Sequence, residues 1–201
     1  MKNLFIIGLL IFLISCKQKA KLDYNMTATC EKIIVQDTVD NYVVHFLVSF
    51  KNINLKDVLI FSNSCEDGYE SKNYYQAGIY LKKNEEETAL GQFNRYVFFR
   101  IKAGQTFKIL YTYNDKYPNK KIDFNTKESL ETKFKSVDLY YKSDQIIIEK
   151  LLQEKQQQKD DVILDIPDFK VDMSNATMEF KKDLNIEEAI KLVEGKIIKG
   201  K

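Results

Sequence analysis

The sequence predicts a mainly β protein, an antiparallel sandwich or barrel that ends in one short helix. In residues 42–50, apolar side chains occupy every second position, which is the pattern of a half-buried strand. Several further β-prone runs are short and separated by turn-forming residues. A helical spacing of apolar side chains is clear only near the carboxyl terminus. Without helices between the strands, an antiparallel architecture is the natural expectation.

The first two strands are predicted to form a hairpin. Residues 27–36 make the first strand and residues 42–50 the second, and residues 37–41 supply Asp and Asn for the turn. The even-numbered positions of the second strand are apolar and are expected to face the core. His45 and Ser49 then lie on the opposite face.

Shorter β-prone runs follow along the chain. Residues 95–101 and 105–113 flank a turn with Gly104, so we expect them to pair as a second hairpin. Residues 146–158 fit a strand or a helix, because their apolar residues satisfy both periods. Further strands are predicted at residues 57–61, 77–82, 137–141 and 162–166, the last an edge strand because Pro167 follows.

The carboxyl-terminal helix is predicted from its two ends. Asn185 precedes Glu188 by three positions, as in an N-terminal cap, and Gly195 is a typical helix stop. We expect its apolar stripe to dock on the parent domain. The stripe consists of Ile186, Ala189, Ile190 and Val193.

The composition is that of a soluble globular domain with flanking segments. We predict a signal peptide at residues 1–15, a lipidated tether at 16–24 and a β-sandwich domain at 25–152. Residues 153–201 add a polar connection, the edge strand and the helix.

Two segments resemble the immunoglobulin-like sandwiches of many bacterial envelope proteins. They are residues 48–52 (VSFKN) and the corner at residues 101–107 (IKAGQTF), and the resemblance spans residues 25–148. It implies an antiparallel immunoglobulin-like sandwich. The chain has no tryptophan, so the disulfide-and-tryptophan core of true immunoglobulin domains is not expected.

The amino terminus resembles the lipobox signal peptide of bacterial lipoproteins. Lys2 is followed by an apolar run and then by Leu13, Ile14, Ser15 and Cys16. The resemblance implies that Cys16 is lipidated and becomes the first residue of a membrane-anchored chain. Without an aspartate after the cysteine, it favours the outer over the inner membrane. An uncleaved membrane helix or an ordinary secretory peptide is the alternative, although the apolar run is short for a span.

The charge balance argues against nucleic acid as a partner. The chain has 31 basic and 29 acidic residues, so it has no strong field for a polyanion. Arg95 and Arg100 are the only arginines, which leaves few bidentate phosphate or guanine readers.

The cysteines and the single histidine offer little catalytic chemistry. Cys30 and Cys65 are a possible disulfide in an exported protein, or they are small buried hydrophobes. Cys65 with His45 is the only conventional cysteine-hydrolase pair, and it lies in no known motif. One histidine and two cysteines cannot complete a zinc site alone. We therefore predict no enzyme activity, no cofactor and no metal.

A long loop has the composition of a binding segment. Residues 62–76 contain Tyr69, Tyr74 and Tyr75 among Ser, Asn and Gly, which binding loops favour. The alternative is that these tyrosines fold back onto the sheet. Thr38, within Asp-Thr-Val, resembles the short O-glycosylation sequence of some exported bacterial proteins.

Together these features predict a lipid-anchored cell-envelope protein with a non-catalytic binding or structural role. Its expected partners are the membrane, through the lipid, and an envelope protein. The alternatives are an inhibitor or immunity lipoprotein that neutralises a toxin or protease, and, third, an envelope enzyme.

Overall fold

The computed structural model describes residues 25–38, 41–61, 78–92, 98–114, 132, 134, 136–143, 153, 162–163, 166–182 and 184. Strands make up 70% of these described residues. The prediction of a mainly β protein is therefore confirmed, and most strand pairs are antiparallel.

The structure describes twelve strands. In chain order they are β1 (Met26–Thr38), β2 (Asn41–Asn52), β3 (Asp57–Phe61), β4 (Gly78–Lys83), β5 (Glu86–Ala89), β6 (Gly91–Gln92), β7 (Phe98–Ile101), β8 (Thr106–Asn114), β9 (Asp138–Lys142), β10 (Val162–Ile163), β11 (Phe169–Val171) and β12 (Thr177–Lys181).

The strands form three sheets. Sheet A has the order β12-β1-β2-β8-β6, sheet B the order β10-β3-β7, and sheet C the order β11-β9-β4-β5. All three sheets contribute to one hydrophobic core. Tyr111, Tyr141, Phe46 and Phe50 are its largest fully buried side chains.

The predicted first hairpin is confirmed, and a bulge sets its register. β1 pairs with β2 from Met26 opposite Asn52 to Thr38 opposite Asn41, with a shift between Cys30 and Lys32. The extra residue reverses the alternation of β1. Cys30 before the bulge and Ile33 after it therefore both face the core.

The core face of β2 is also as predicted, since Val44, Phe46, Val48 and Phe50 are all buried. The opposite face of sheet A is more apolar than the sequence suggested. Ile34, Leu47 and Leu110 are buried there beside His45, as cross-strand neighbours on β1, β2 and β8.

The second predicted hairpin is wrong. β7 pairs with β3 in sheet B, whereas β8 pairs with β2 and β6 in sheet A. The chain changes sheet at a tight corner, where the Gln105 amide donates to the Lys102 carbonyl and Gly104 has a φ of 71°. Glycine reaches this left-handed conformation without a steric penalty.

Two strand pairs are parallel, which the purely antiparallel prediction missed. β12 runs parallel to β1, and β10 runs parallel to β3. Both partners come from the last part of the chain. Two parallel strands must be joined by a long connection, and β12 and β10 are each far along the sequence from their partners.

Three smaller expectations differ or remain outside the structure. The first turn is shorter than residues 37–41, because β1 reaches Thr38 and β2 starts at Asn41. Gln153, in the ambiguous segment 146–158, is helical. The predicted helix at 185–195 lies outside the described residues.

Candidate functional site

A pair of stacked tyrosines marks the outward face of sheet C. Tyr80 on β4 and Tyr140 on β9 are register partners, with ring centroids 5.8 Å apart and an interplanar angle of 28°. Their sequence neighbours point into the core because side chains alternate along a strand. Those buried neighbours are Ile79, Leu81, Leu139 and Tyr141.

A lysine lies against both rings. The Nζ atom of Lys142 is 5.0 Å from the centroid of Tyr80 and 5.5 Å from that of Tyr140. Aromatic faces attract cations at such distances. We call Tyr80, Tyr140 and Lys142 the tyrosine surface.

Glu87 on β5 completes the charge pattern of this surface. Its carboxylate accepts a hydrogen bond from Lys142 and lies 3.9 Å from Lys82 Nζ. The hydrogen bond from Lys142, followed by the nearby Tyr140 hydroxyl, lowers the pKa of Glu87. Burial, then the Glu87 carboxylate, raises the pKa of Tyr140, so this phenol stays protonated at neutral pH.

Tyr80 is only 8% exposed, so the half-buried Tyr140 and Lys142, held on a rigid sheet, are what this surface offers for contact. Tyrosine provides large contact area for little side-chain entropy. No sequence pattern indicated these residues as a site. A Tyr-x-Lys spacing occurs in both strands, at Tyr80 with Lys82 and at Tyr140 with Lys142, but only the register shows that the tyrosines meet.

The predicted binding loop joins the described chain next to this surface. Gly78, the first residue of β4, is the register partner of Lys142. Tyr69, Tyr74 and Tyr75 lie outside the described residues, so the binding loop itself stays a prediction.

His45 lies away from the tyrosine surface, on the outward face of sheet A. Its Nδ1 atom is 3.0 Å from Thr112 Oγ1 and its Nε2 atom is 3.4 Å from Gln36 Oε1. Burial lowers the pKa of His45 to about 4. Because this pKa is well below 7, the ring is uncharged at neutral pH, which suits the neutral Thr112 and Gln36 side chains beside its nitrogens. Cys65, the other member of the only conventional cysteine-hydrolase pair, lies outside the described residues.

Cys30 is a free, fully buried thiol on the core face of β1. Its Sγ donates to the Lys32 carbonyl oxygen, and burial raises the pKa of the thiol to about 12. Because Cys65 is not described, their disulfide stays a prediction.

Of the two predicted modification sites, Thr38 and Cys16, only Thr38 is among the described residues. Thr38 is the last residue of β1 and pairs with Asn41, rather than lying within the predicted turn. Its glycosylation stays a prediction. Cys16 lies outside the described residues.

Comparison with known proteins gives no relative from which a role can be transferred. The chain matches no protein-family model, no curated protein and no solved structure. In the part of the chain that the structure describes, no three His, Cys, Asp or Glu residues are grouped as a metal site would require. Nor does any described helix have the length and apolar character to cross a bilayer.

Proposed function

We propose that this chain is a cell-envelope protein, held at a membrane by lipid on Cys16, that binds a protein partner without catalysis. The observation that carries the anchor is the sequence of residues 1–16, a lysine, a short apolar run and a small residue before cysteine. Two or more acyl chains hold a protein at a bilayer durably, so no other membrane segment is needed.

The start of the described fold fits such an anchor. β1 begins at Met26, just after the tether predicted at residues 16–24. A fully extended tether of this length spans about 30 Å. The anchor would therefore hold the β domain close to the membrane surface.

The tyrosine surface supports the binding role. The half-buried Tyr140, stacked on the buried Tyr80, combines with the Lys142 cation, and aromatic residues are enriched at protein interfaces. The only histidine, His45, has surroundings that favour a structural role, since its ring nitrogens face Thr112 and Gln36.

We also infer that the three sheets form an immunoglobulin-like sandwich, with a helix at residues 185–195. The shared core and the change of sheet at the corner between β7 and β8 support this architecture. Backbone chemical shifts of residues 185–195 in solution test the helix, since extended or random values there would contradict it.

The anchor is tested by the intact mass of protein extracted from membranes of its host. We expect loss of residues 1–15 and added acyl mass, both abolished by Cys16→Ala. Cys30→Ala is the matched control and should leave processing intact, because Cys30 is buried in the fold. An unprocessed chain without acyl mass would contradict the anchor. A thiol count on the same sample shows whether Cys30 and Cys65 are bridged.

The binding role is tested with a photoreactive phenylalanine in place of Tyr140 in growing cells. We expect a discrete crosslinked protein, with yield reduced about tenfold by Lys142→Gln, the loss of one important interface contact. The same photoreactive residue at Phe180, which is exposed on β12, is the control. Equal crosslinking from both positions would contradict a specific surface. A captured toxin or protease would assign the inhibitor role.

A further inference from the structure

One end of the domain is organised around Asn25, the residue before β1. The Ile53 amide donates to the Asn25 carbonyl at 3.0 Å. Asn54 returns two bonds, accepting from the Asn25 amide and donating to its carbonyl, each at 3.0 Å. We call Asn25, residues 53–56 and residues 102–105 the tip.

A buried asparagine fixes the two loops of the tip to each other. The side-chain amide of Asn52 donates to the Lys56 carbonyl at 2.9 Å and to the Ile101 carbonyl at 3.0 Å. Its side-chain oxygen accepts from the Asn54 amide at 2.9 Å. The conformation of the tip is therefore set by the fold before any contact is made.

The tip exposes large apolar side chains. Leu55 is 99% exposed and Ile53 is 52% exposed. Many of the other described leucines and isoleucines are buried in the hydrophobic core. The third exposed large apolar residue among those described, Phe180, lies on β12 of sheet A.

Among the described residues, the unpaired charges around these side chains are positive. Lys51, Lys56 and Lys102 are exposed and make no ion pair with the described residues. The nearby acid, Asp57, is already neutralised. Its carboxylate accepts from Arg100 Nε at 2.7 Å and from the Ala103 amide at 3.0 Å.

We propose that the tip is a membrane-contact surface, in which Leu55 enters the boundary between headgroups and acyl chains of the bilayer that holds the lipid. The proposal rests on the lipid anchor at Cys16. The predicted tether at residues 16–24 leads directly into Asn25, which belongs to the tip, so a chain anchored at Cys16 would enter the fold at the tip.

A lipid surface fits the tip better than a protein partner. The tip exposes Leu55 and Ile53 and contains no aromatic residue or arginine, the residues that dominate binding at protein interfaces. Apolar side chains bordered by lysines are the arrangement by which peripheral proteins contact anionic bilayers.

The absence of tryptophan from the chain allows a single-site probe. Leu55→Trp and Phe180→Trp are expressed from the complete sequence in the native host, purified, and placed in vesicles of phosphatidylethanolamine and phosphatidylglycerol with brominated acyl chains. We expect blue-shifted emission and at least about twofold quenching for the Leu55 variant, the response of an indole near the acyl chains. Phe180→Trp should emit as in water.

Flotation of the vesicles separates the two proposals. If both variants float and Trp at position 55 is quenched, the tip proposal is supported. If both float but position 55 emits as in water, the tip proposal is wrong while the anchor stands. If neither floats, the anchor proposal fails and the tip proposal with it. A blue shift in native membranes alone would indicate a protein partner and overturn the lipid contact.

Charge reversal provides a second variant. Lys56→Glu with Lys102→Glu, in the Leu55→Trp chain, should reduce quenching on anionic vesicles, because both lysines are exposed beside the loop. Both positions are at the surface, and far-UV circular dichroism verifies the fold. Unchanged quenching would contradict the role of the lysines.

Discussion

Replacing Asn52 with aspartate is expected to lower the free energy of unfolding by about 3 to 5 kcal/mol at pH 7, because it places a charge in a fully buried site and leaves polar groups unpaired. The new carboxylate oxygen would face the Lys56 and Ile101 carbonyl oxygens, now 2.9 and 3.0 Å from a donating amide. Urea denaturation followed by circular dichroism measures the loss.

The neighbouring asparagine is a graded control. Asn54 is only half-buried, so Asn54→Ala should cost about 1 kcal/mol through the lost hydrogen bonds of its side chain to Asn25 and Asn52. Equal losses for the Asn52 and Asn54 variants would show that the buried site is not what holds the two loops together.

The second large effect is a loss of stability in mild acid through His45. Its folded pKa of about 4 lies below the ordinary 6.5, so between these values the unfolded chain binds the extra proton. Stability therefore falls as the pH drops from 6.5 to 4. The loss should reach about 3 kcal/mol, at 1.36 kcal/mol per pKa unit.

His45→Gln separates this effect from that of the carboxylates. The variant should show a nearly flat stability between pH 6.5 and 4.5, measured by urea denaturation at each pH. Asp57 and Glu179 have lowered pKa values, so their contribution is lost only at more acidic pH. An equally steep dependence in His45→Gln would show that another group causes it.

Sequence patterns predicted those elements whose signal is local. The alternation in β2 identified its core face, and the bounds of β3 were predicted as residues 57–61, where the structure places them. The predicted strand at 162–166 was found as β10, although shorter.

Features that depend on distant partners were not predicted. β5 was not predicted, because its sequence is polar and the partners of Glu87, Lys82 and Lys142, lie on other strands. β12 carries mixed charged and apolar residues, and its partner β1 lies at the other end of the sequence. The buried second face of sheet A was missed because His45 and Ser49 made that face look polar.

The pairing of the first described strand with the last affects how the chain folds as it is made. Lys32 on β1 and Glu179 on β12 bind each other at 2.9 Å across 147 residues of sequence. During synthesis at about 5 to 20 residues per second, roughly 7 to 30 s separate the emergence of these two residues. For that interval β1 has an open edge that can pair with another chain. Folding of sheet A is thus completed only after nearly the whole polypeptide has emerged.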